Sequence, residues 1–370
     1  MNEGSWSPED TMGGAKVLNR ELITEAAAIA FADPHHIPER YARADDAPAG
    51  GAAAAAVVGD DESYVLPVVD MARLLDPEHR AVEIACLGSA CRSWGFFQLI
   101  NHGADDAVIQ QMKDDTVQFF ELPVEEKKAV AVRPGGGIEG FGHHFNRSST
   151  DKLDWAESLI VETQPIQRRN LQFWPSNPPT FRDSIDKYAM EMRNLATRLL
   201  GFMACDLGVE QGTLLAAFAG KRQSMVLHRY PPCRRPEEVV GIAPHSDGFG
   251  LTLLLQVDDT PGLQVMLGDG RWLPVRPLPG ALVVNVGEIL EVLTNGAYRS
   301  AFHRVVVDAE RGRTTVVVFQ DASVGGVVGP LPELGEPRYR AIGRSQYGKG
   351  HATEILGSGE RFIDTLRTIR

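Results

Sequence analysis

A mostly β protein with flanking helices (α+β), built around a small jelly-roll barrel, is the fold class the sequence predicts. Two observations point there. From Ser224 to Ala322 the chain is a succession of short apolar runs, rich in β-branched residues and broken by Gly and Pro, which is how barrel strands read. Before them, Pro179 to Leu207 carries Met190, Leu195, Leu199, Met203 and Leu207 near a 3.6-residue period, a long helix with one face to pack against the strands.

In chain order, residues 1–64 are an N-terminal segment with a helical pattern at Glu21–Phe31 and an Ala/Gly-rich linker at Ala47–Gly59. Residues 65–175 hold two helices, Ala81–Trp94 and Asp106–Glu121, around a strand at Phe96–Ile100. Residues 176–223 are the long helix and its connection. The barrel is expected over 224–325. Its first strand starts at Met225 and is stopped by Pro231-Pro232. Further strands are expected at Leu251–Val257, Leu263–Leu267, Ala281–Val286, His303–Val307 and Arg313–Phe319. Residues 326–370 form a C-terminal tail with a helix near Ser358–Ile369. No internal repeat is evident.

His245-Ser-Asp247 with His303 downstream carries the most chemistry. In an extended segment residues i and i+2 point the same way, so His245 and Asp247 can reach one metal. Alone, His-x-Asp is a weak signal. With His303 opening a strand, the set becomes two imidazoles and one carboxylate, the facial triad of non-haem Fe(II) oxygenases. Arg313 and Thr315 share a strand face. An arginine on an apolar inner wall is costly without a partner, and its planar fork matches a carboxylate. The plain alternative is a solvated edge arginine. Val226, His228 and Tyr230 alternate onto one face of another strand, where the Tyr230 hydroxyl can reach the same acid or be an ordinary buried tyrosine.

These residues carry a family resemblance. Tyr230-Pro-Pro-Cys233, Ala243-Pro-His-Ser-Asp-Gly248, Pro261-Gly-Leu-Gln264, Trp272-Leu-Pro-Val275, Asn285-Val-Gly287 and Leu293-Thr-Asn-Gly296 resemble the plant 2-oxoglutarate- and Fe(II)-dependent dioxygenases. Leu66-Pro-Val-Val-Asp70, Trp94-Gly-Phe-Phe-Gln98, Phe119-Phe-Glu-Leu-Pro123 and Lys152-Leu-Asp-Trp155 are similar to that family's amino-terminal region. The resemblance runs from about Leu66 to Phe362. It is strongest to the senescence-related, codeine-demethylase-like and lateral-branching-oxidoreductase-like branch of these iron/ascorbate-dependent oxidoreductases.

The resemblance implies a double-stranded β-helix of cupin type. It implies Fe(II) on His245, Asp247 and His303, and 2-oxoglutarate on Arg313, Thr315 and Tyr230, with ascorbate as reductant. It implies oxidation of a small plant metabolite by O2, as hydroxylation, desaturation or O-demethylation, with release of succinate and CO2. Candidate substrate contacts are His228, Phe319, Asp321, Phe141 and Phe145. Three positions depart from the family's habit: Thr315 stands where Ser is usual, His228 where Asn is frequent, and Glu288 where Asp is common. His228 is left as either a packed neutral imidazole or a group titrating near cellular pH beside the cosubstrate. Two other readings stay open: a lyase or condensing enzyme on the same fold without 2-oxoglutarate, and a non-catalytic small-molecule binder.

Composition narrows the partners. A chain of 370 residues buries a sizeable core. A formal net charge of −12 and the lack of any basic cluster argue against nucleic acid. Four cysteines without a Cys-x-x-Cys pair read as a reduced protein. Met1-Asn-Glu-Gly-Ser5 is not a secretory signal, and no apolar run reaches membrane-spanning length. A monomer in the cytoplasm, with the nucleus as an alternative, is expected, and the Asn146-Arg-Ser148 sequon is taken as chance.

Overall fold

In the computed structural model the described residues are 37–43, 65–133, 137–144, 152–354 and 361–368. The pattern at Glu21–Phe31, the Ala47–Gly59 linker, Phe145 and the Asn146 sequon lie outside them.

Along the chain come β1 (Val68–Asp70), α1 (Met71–Leu75), α2 (Arg80–Ser93), β2 (Phe96–Ile100), α3 (Asp106–Glu121), α4 (Val124–Lys128), β3 (Gly140–Gly142) and β4 (Glu157–Gln164). They are followed by α5 (Phe181–Leu207), α6 (Gln211–Phe218), β5 (Gln223–Tyr230), β6 (Ile242–His245), β7 (Leu251–Gln256), β8 (Leu263–Met266), β9 (Trp272–Pro274) and β10 (Leu282–Val286). The rest are α7 (Glu288–Leu293), β11 (His303–Val305), β12 (Arg313–Gln320), β13 (Val327–Val328), β14 (Ile342–Gly343) and α8 (Arg344–Glu354).

Two sheets form the jelly roll. The large one has eight strands in the order β1-β2-β10-β7-β12-β5-β4-β3, and the small one has four, β6-β11-β8-β9. Strand periodicity sorts the side chains. On β12, Val316 and Val318 join the main core with the helices, while Arg313, Thr315, Val317 and Phe319 alternate onto the face toward the small sheet. The space between the sheets is apolar at both ends. At one end Leu263 and Val265 of β8 pack with Phe96 and Val283; at the other, Ile138, Ile160, Val226 and Phe319 cluster. The site lies between them.

Helix α5 buries Tyr188, Met192, Leu195, Leu199 and Met203 against the large sheet, and stops at Gly208, whose φ of 69° closes the last turn. Met190, expected on that stripe, faces solvent instead, 41% exposed.

The strand-rich section is interrupted by α7, a short helix of Glu and apolar residues whose length is too small for a helical period to show. β4 is buried along its whole length, so it lacks the alternation that marks a strand with one wet face. The C-terminal helix also differs from expectation. It lies at Arg344–Glu354, and the tail near its expected place is a 3-10 turn, Phe362–Leu366. Two glycines, Gly348 and Gly350, hide α8 from propensity arguments. No helix among the described residues is long and apolar enough to cross a membrane.

Candidate metal and cosubstrate site

β6 and β11 pair antiparallel with His303 directly opposite His245, which brings the imidazoles together with ring centres 4.2 Å apart. Asp247 follows just past the end of β6. Its Oδ1 lies 3.5 Å from His245 Nε2 and 3.6 Å from His303 Nε2. One donor atom from each residue lies within 4.8 Å of the others. Each ring is oriented by its other nitrogen: His245 Nδ1 lies 2.9 Å from the Ala243 carbonyl and His303 Nδ1 lies 3.3 Å from that of Ala301. Donation to those carbonyls leaves Nε2 with a free lone pair. Asp247 Oδ2 accepts from Thr252 Oγ1 at 2.7 Å and Asn285 Nδ2 at 2.8 Å, so Oδ1 is the oxygen aimed at the histidines.

The electrostatics agree with this arrangement. Burial opposes charge on Asp247, but His303, His245 and the Asn285 hydrogen bond outweigh it and hold the carboxyl well below the usual range. Burial pushes His303 down to about 4. At His245 burial is outweighed by the hydrogen bond and charge of Asp247, and its pKa rises. A carboxylate with two imidazole lone pairs converging on one point fits a divalent first-row metal.

A second polar cluster lies on the large sheet. Arg313 is opposite Tyr230 in the β12–β5 register, and Thr315 is opposite His228. The guanidinium sits 5.3 Å over the Tyr230 ring and donates from Nη2 to Gln256 Oε1 at 3.2 Å. Its Nε and Nη1, and the Thr315 hydroxyl, are buried without a hydrogen-bond partner. Unpaired buried donors on a charged group are expensive, and a carboxylate between them would satisfy them. Burial lowers the Arg313 pKa and raises that of Tyr230 above its usual range.

Beside the His245, Asp247 and His303 cluster lies a cavity of about 490 Å3 lined by His245, Asp247, His228 and Phe319 among others. That size suits a small organic ligand. Burial pushes His228 down to about 3, and its Nδ1 is 2.7 Å from Ser158 Oγ, so of its two expected states the packed neutral imidazole fits the structure. Two expected substrate contacts are placed elsewhere. Phe141 does not line the cavity: its ring packs edge-on against Phe119 in the main core. Asp321 is engaged by Arg344 Nε at 2.8 Å and also stands off the cavity.

Several residues were given no role by the sequence, although Asn285 lies in one of the family-like motifs. Thr252 and Asn285 orient Asp247 from two other strands. Ile138 and Ile160 supply an apolar wall from the N-terminal half. His351 reaches the cavity from α8. Glu288 accounts for that last placement. Its Oε1 accepts from Ser246 Oγ at 2.5 Å, its Oε2 accepts from the Tyr347 hydroxyl at 2.7 Å, and His351 Nδ1 lies 3.3 Å away. The side chain thus links the loop between two of the triad residues to α8, and the departure from Asp has a structural use.

Comparison with known proteins places this geometry. A family profile described as "non-haem dioxygenase in morphine synthesis N-terminal" matches residues 66–177, and one described as "2OG-Fe(II) oxygenase superfamily" matches residues 221–322. S-norcoclaurine synthase 1 of Coptis japonica is 39% identical, covering 93% of this chain and 96% of its own. Codeine O-demethylase of Papaver somniferum is 36% identical, covering 95% and 96%. Among solved structures, that of JOX2 in complex with 2OG, Fe and JA superposes with a TM-score of 0.81 at 29% identity, covering 94% of this chain and 98% of that one.

Proposed function

We propose a role for each site residue from one premise: the chain belongs to the plant 2OG-Fe(II) oxygenases and is a 2-oxoglutarate-dependent dioxygenase acting on a small molecule. His245, Asp247 and His303 hold Fe(II). Arg313, Thr315 and Tyr230 hold the carboxylate of 2-oxoglutarate remote from the metal. The observation that supports this most is the pairing of a converged two-imidazole, one-carboxylate set with unsatisfied buried donors on the facing sheet.

When bound, Fe(II) with 2-oxoglutarate and O2 supplies the oxidising chemistry and yields succinate and CO2. The chain does the positioning. The Ala243 and Ala301 carbonyls fix the ring tautomers, and Thr252 and Asn285 keep the carboxylate from rotating. Arg313 and Thr315 orient the cosubstrate, and the cavity admits substrate while limiting water. Hydroxylation, desaturation and O-demethylation all use this arrangement. Ascorbate as reductant, a monomer and a cytoplasmic setting belong to the same proposal, and the free cysteines Cys86, Cys91, Cys205 and Cys233 support a reducing compartment.

The test is substrate-coupled succinate formation by purified protein given Fe(II), 2-oxoglutarate, ascorbate and a plant metabolite extract. Asp247→Ala should lose Fe(II) binding and turnover while remaining folded, because two protein ligands hold the metal poorly against water. Full activity of that variant would sink the metal assignment. One relative bears a synthase name, so the assay is repeated without oxygen: product formed under strict anaerobiosis would favour condensation, with neutral His228 as the candidate base.

A further inference from the structure

The C-terminal helix brings one side chain to the cavity. Among the described residues of α8, His351 alone lines it. One helical turn earlier, Tyr347 stacks on the same imidazole, with ring centres 5.8 Å apart and planes 14° from parallel. Both residues meet the buried Glu288 of α7, whose Oε1 accepts from Ser246 and whose Oε2 accepts from Tyr347. His351 Nδ1 is buried and lies 3.3 Å from that same Oε2. An oxygen already acting as an acceptor favours a proton on the nitrogen facing it, so the neutral ring carries its proton on Nδ1. Nε2 is then left with a lone pair and no hydrogen-bond partner among the described residues.

The seat of this ring depends on Gly248, the residue after Asp247. A side-chain carbon at 248 would stand 2.3 Å from Nε2, 2.4 Å from Cδ2 and 2.8 Å from Cε1 of His351. Distances so alike put that carbon over the ring face rather than at the Nε2 apex. The imidazole therefore lies flat on the bare backbone of Gly248, and the in-plane lone pair of Nε2 is not directed at it. With Nδ1 turned to Glu288, Nε2 belongs to the edge of the ring that borders the cavity. Next along the chain, Phe249 stacks on Phe319 with ring centres 4.7 Å apart, and both line the cavity. The large sheet adds another wall in rungs, His228 with Ser158 and then the apolar Val226 with Ile160. An acceptor beside an aromatic wall suits a flat ring that carries a hydrogen-bond donor.

We propose that His351 is a specificity residue of the cavity: its Nε2 accepts a hydrogen bond from the hydroxyl of a phenolic substrate whose ring lies against Phe249 and Phe319. This rests on the oxygenase reading of the same cavity.

Two probes test it, 2-naphthol and 2-methoxynaphthalene, which share the ring system and the oxygen and differ in the donor. Binding of each to full-length protein loaded with Fe(II) and 2-oxoglutarate is followed without oxygen by naphthalene fluorescence. The naphthol should bind about fivefold tighter to the wild type, the equivalent of one hydrogen bond. His351→Leu, which keeps the bulk and removes the acceptor, should bring the two probes to equal affinity. His351→Gln can present an amide oxygen near the place of Nε2 and should restore the preference, which a merely structural role for His351 would not do. Equal affinity in the wild type, or a preference that survives in His351→Leu, overturns the assignment of His351. Binding of neither probe overturns the aromatic class. A separate 2-oxoglutarate titration distinguishes these outcomes from failure of the oxygenase reading, which would show as no cosubstrate binding at all.

Discussion

Asp247 shows how much one side chain depends on its neighbours: Oδ2 is held by Thr252 and Asn285, and only Oδ1 is free to serve the histidines. Arg313 makes the complementary case on the opposite sheet, where a fork with two unused donors waits for a carboxylate. Lysine carries the same charge as a point and cannot make the paired contact. Arg313→Lys should therefore weaken 2-oxoglutarate binding at least tenfold, the order of one charge-assisted hydrogen bond, while Fe(II) content stays at the wild-type level. Titration of 2-oxoglutarate beside metal analysis checks this, and unchanged affinity would place the cosubstrate elsewhere. These residues were legible in the sequence because their types are unusual for an apolar barrel and their spacing fits a strand face. The role of Thr252 and Asn285 was not, although Asn285 stands in a family-like motif, since only the pairing of β7 and β10 brings both beside Asp247. Phe141 was misassigned because aromatic character does not say which side of a sheet a ring occupies.

Among the elements, the segment around β3 and the strand β5 present His144 and His228 to the inside of the barrel. Burial pushes His144 down to about 4 and His228 to about 3. In the unfolded chain both take up a proton near about 6.5. Below that pH the unfolded state binds more protons than the folded one, so their contribution is complete above it and declines as pH falls toward about 4. Metal-free protein should thus lose melting temperature across this window, and His144→Asn should make the decline shallower. Thermal melts of chelator-treated wild type and variant at stepped pH decide it, and parallel curves would remove His144 from the account. Strands with one clear apolar period were legible at this scale. α7 and α8 were not, one being too short and the other glycine-containing; buried Glu288 of α7 accepts from Tyr347 of α8, and buried Glu291 of α7 accepts from Tyr339 just before α8.

At the scale of the whole molecule, the N-terminal half is part of the barrel. β2 pairs with β10, and β4 pairs with β5, so the large sheet is completed by strands from both halves. A fragment of residues 221–370 would expose both sheet edges and the face that α5 covers, and should aggregate, whereas residues 65–370 should unfold cooperatively. Soluble, cooperatively melting 221–370 would refute that. The fold class was legible from composition of the strands alone. Pairing between residues far apart in sequence was not, because nothing local in β4 specifies β5 as its neighbour. The rungs across β4, β5 and β12 carry a last consequence. Arg313, Thr315 and Tyr230, proposed for the cosubstrate, share strands with the apolar Ile160 and Val226 of the cavity wall but stand on other rungs, so the wall can be exchanged residue by residue while the proposed cosubstrate contacts stay as they are. Selection can thus act on diet and engine separately, along one piece of backbone.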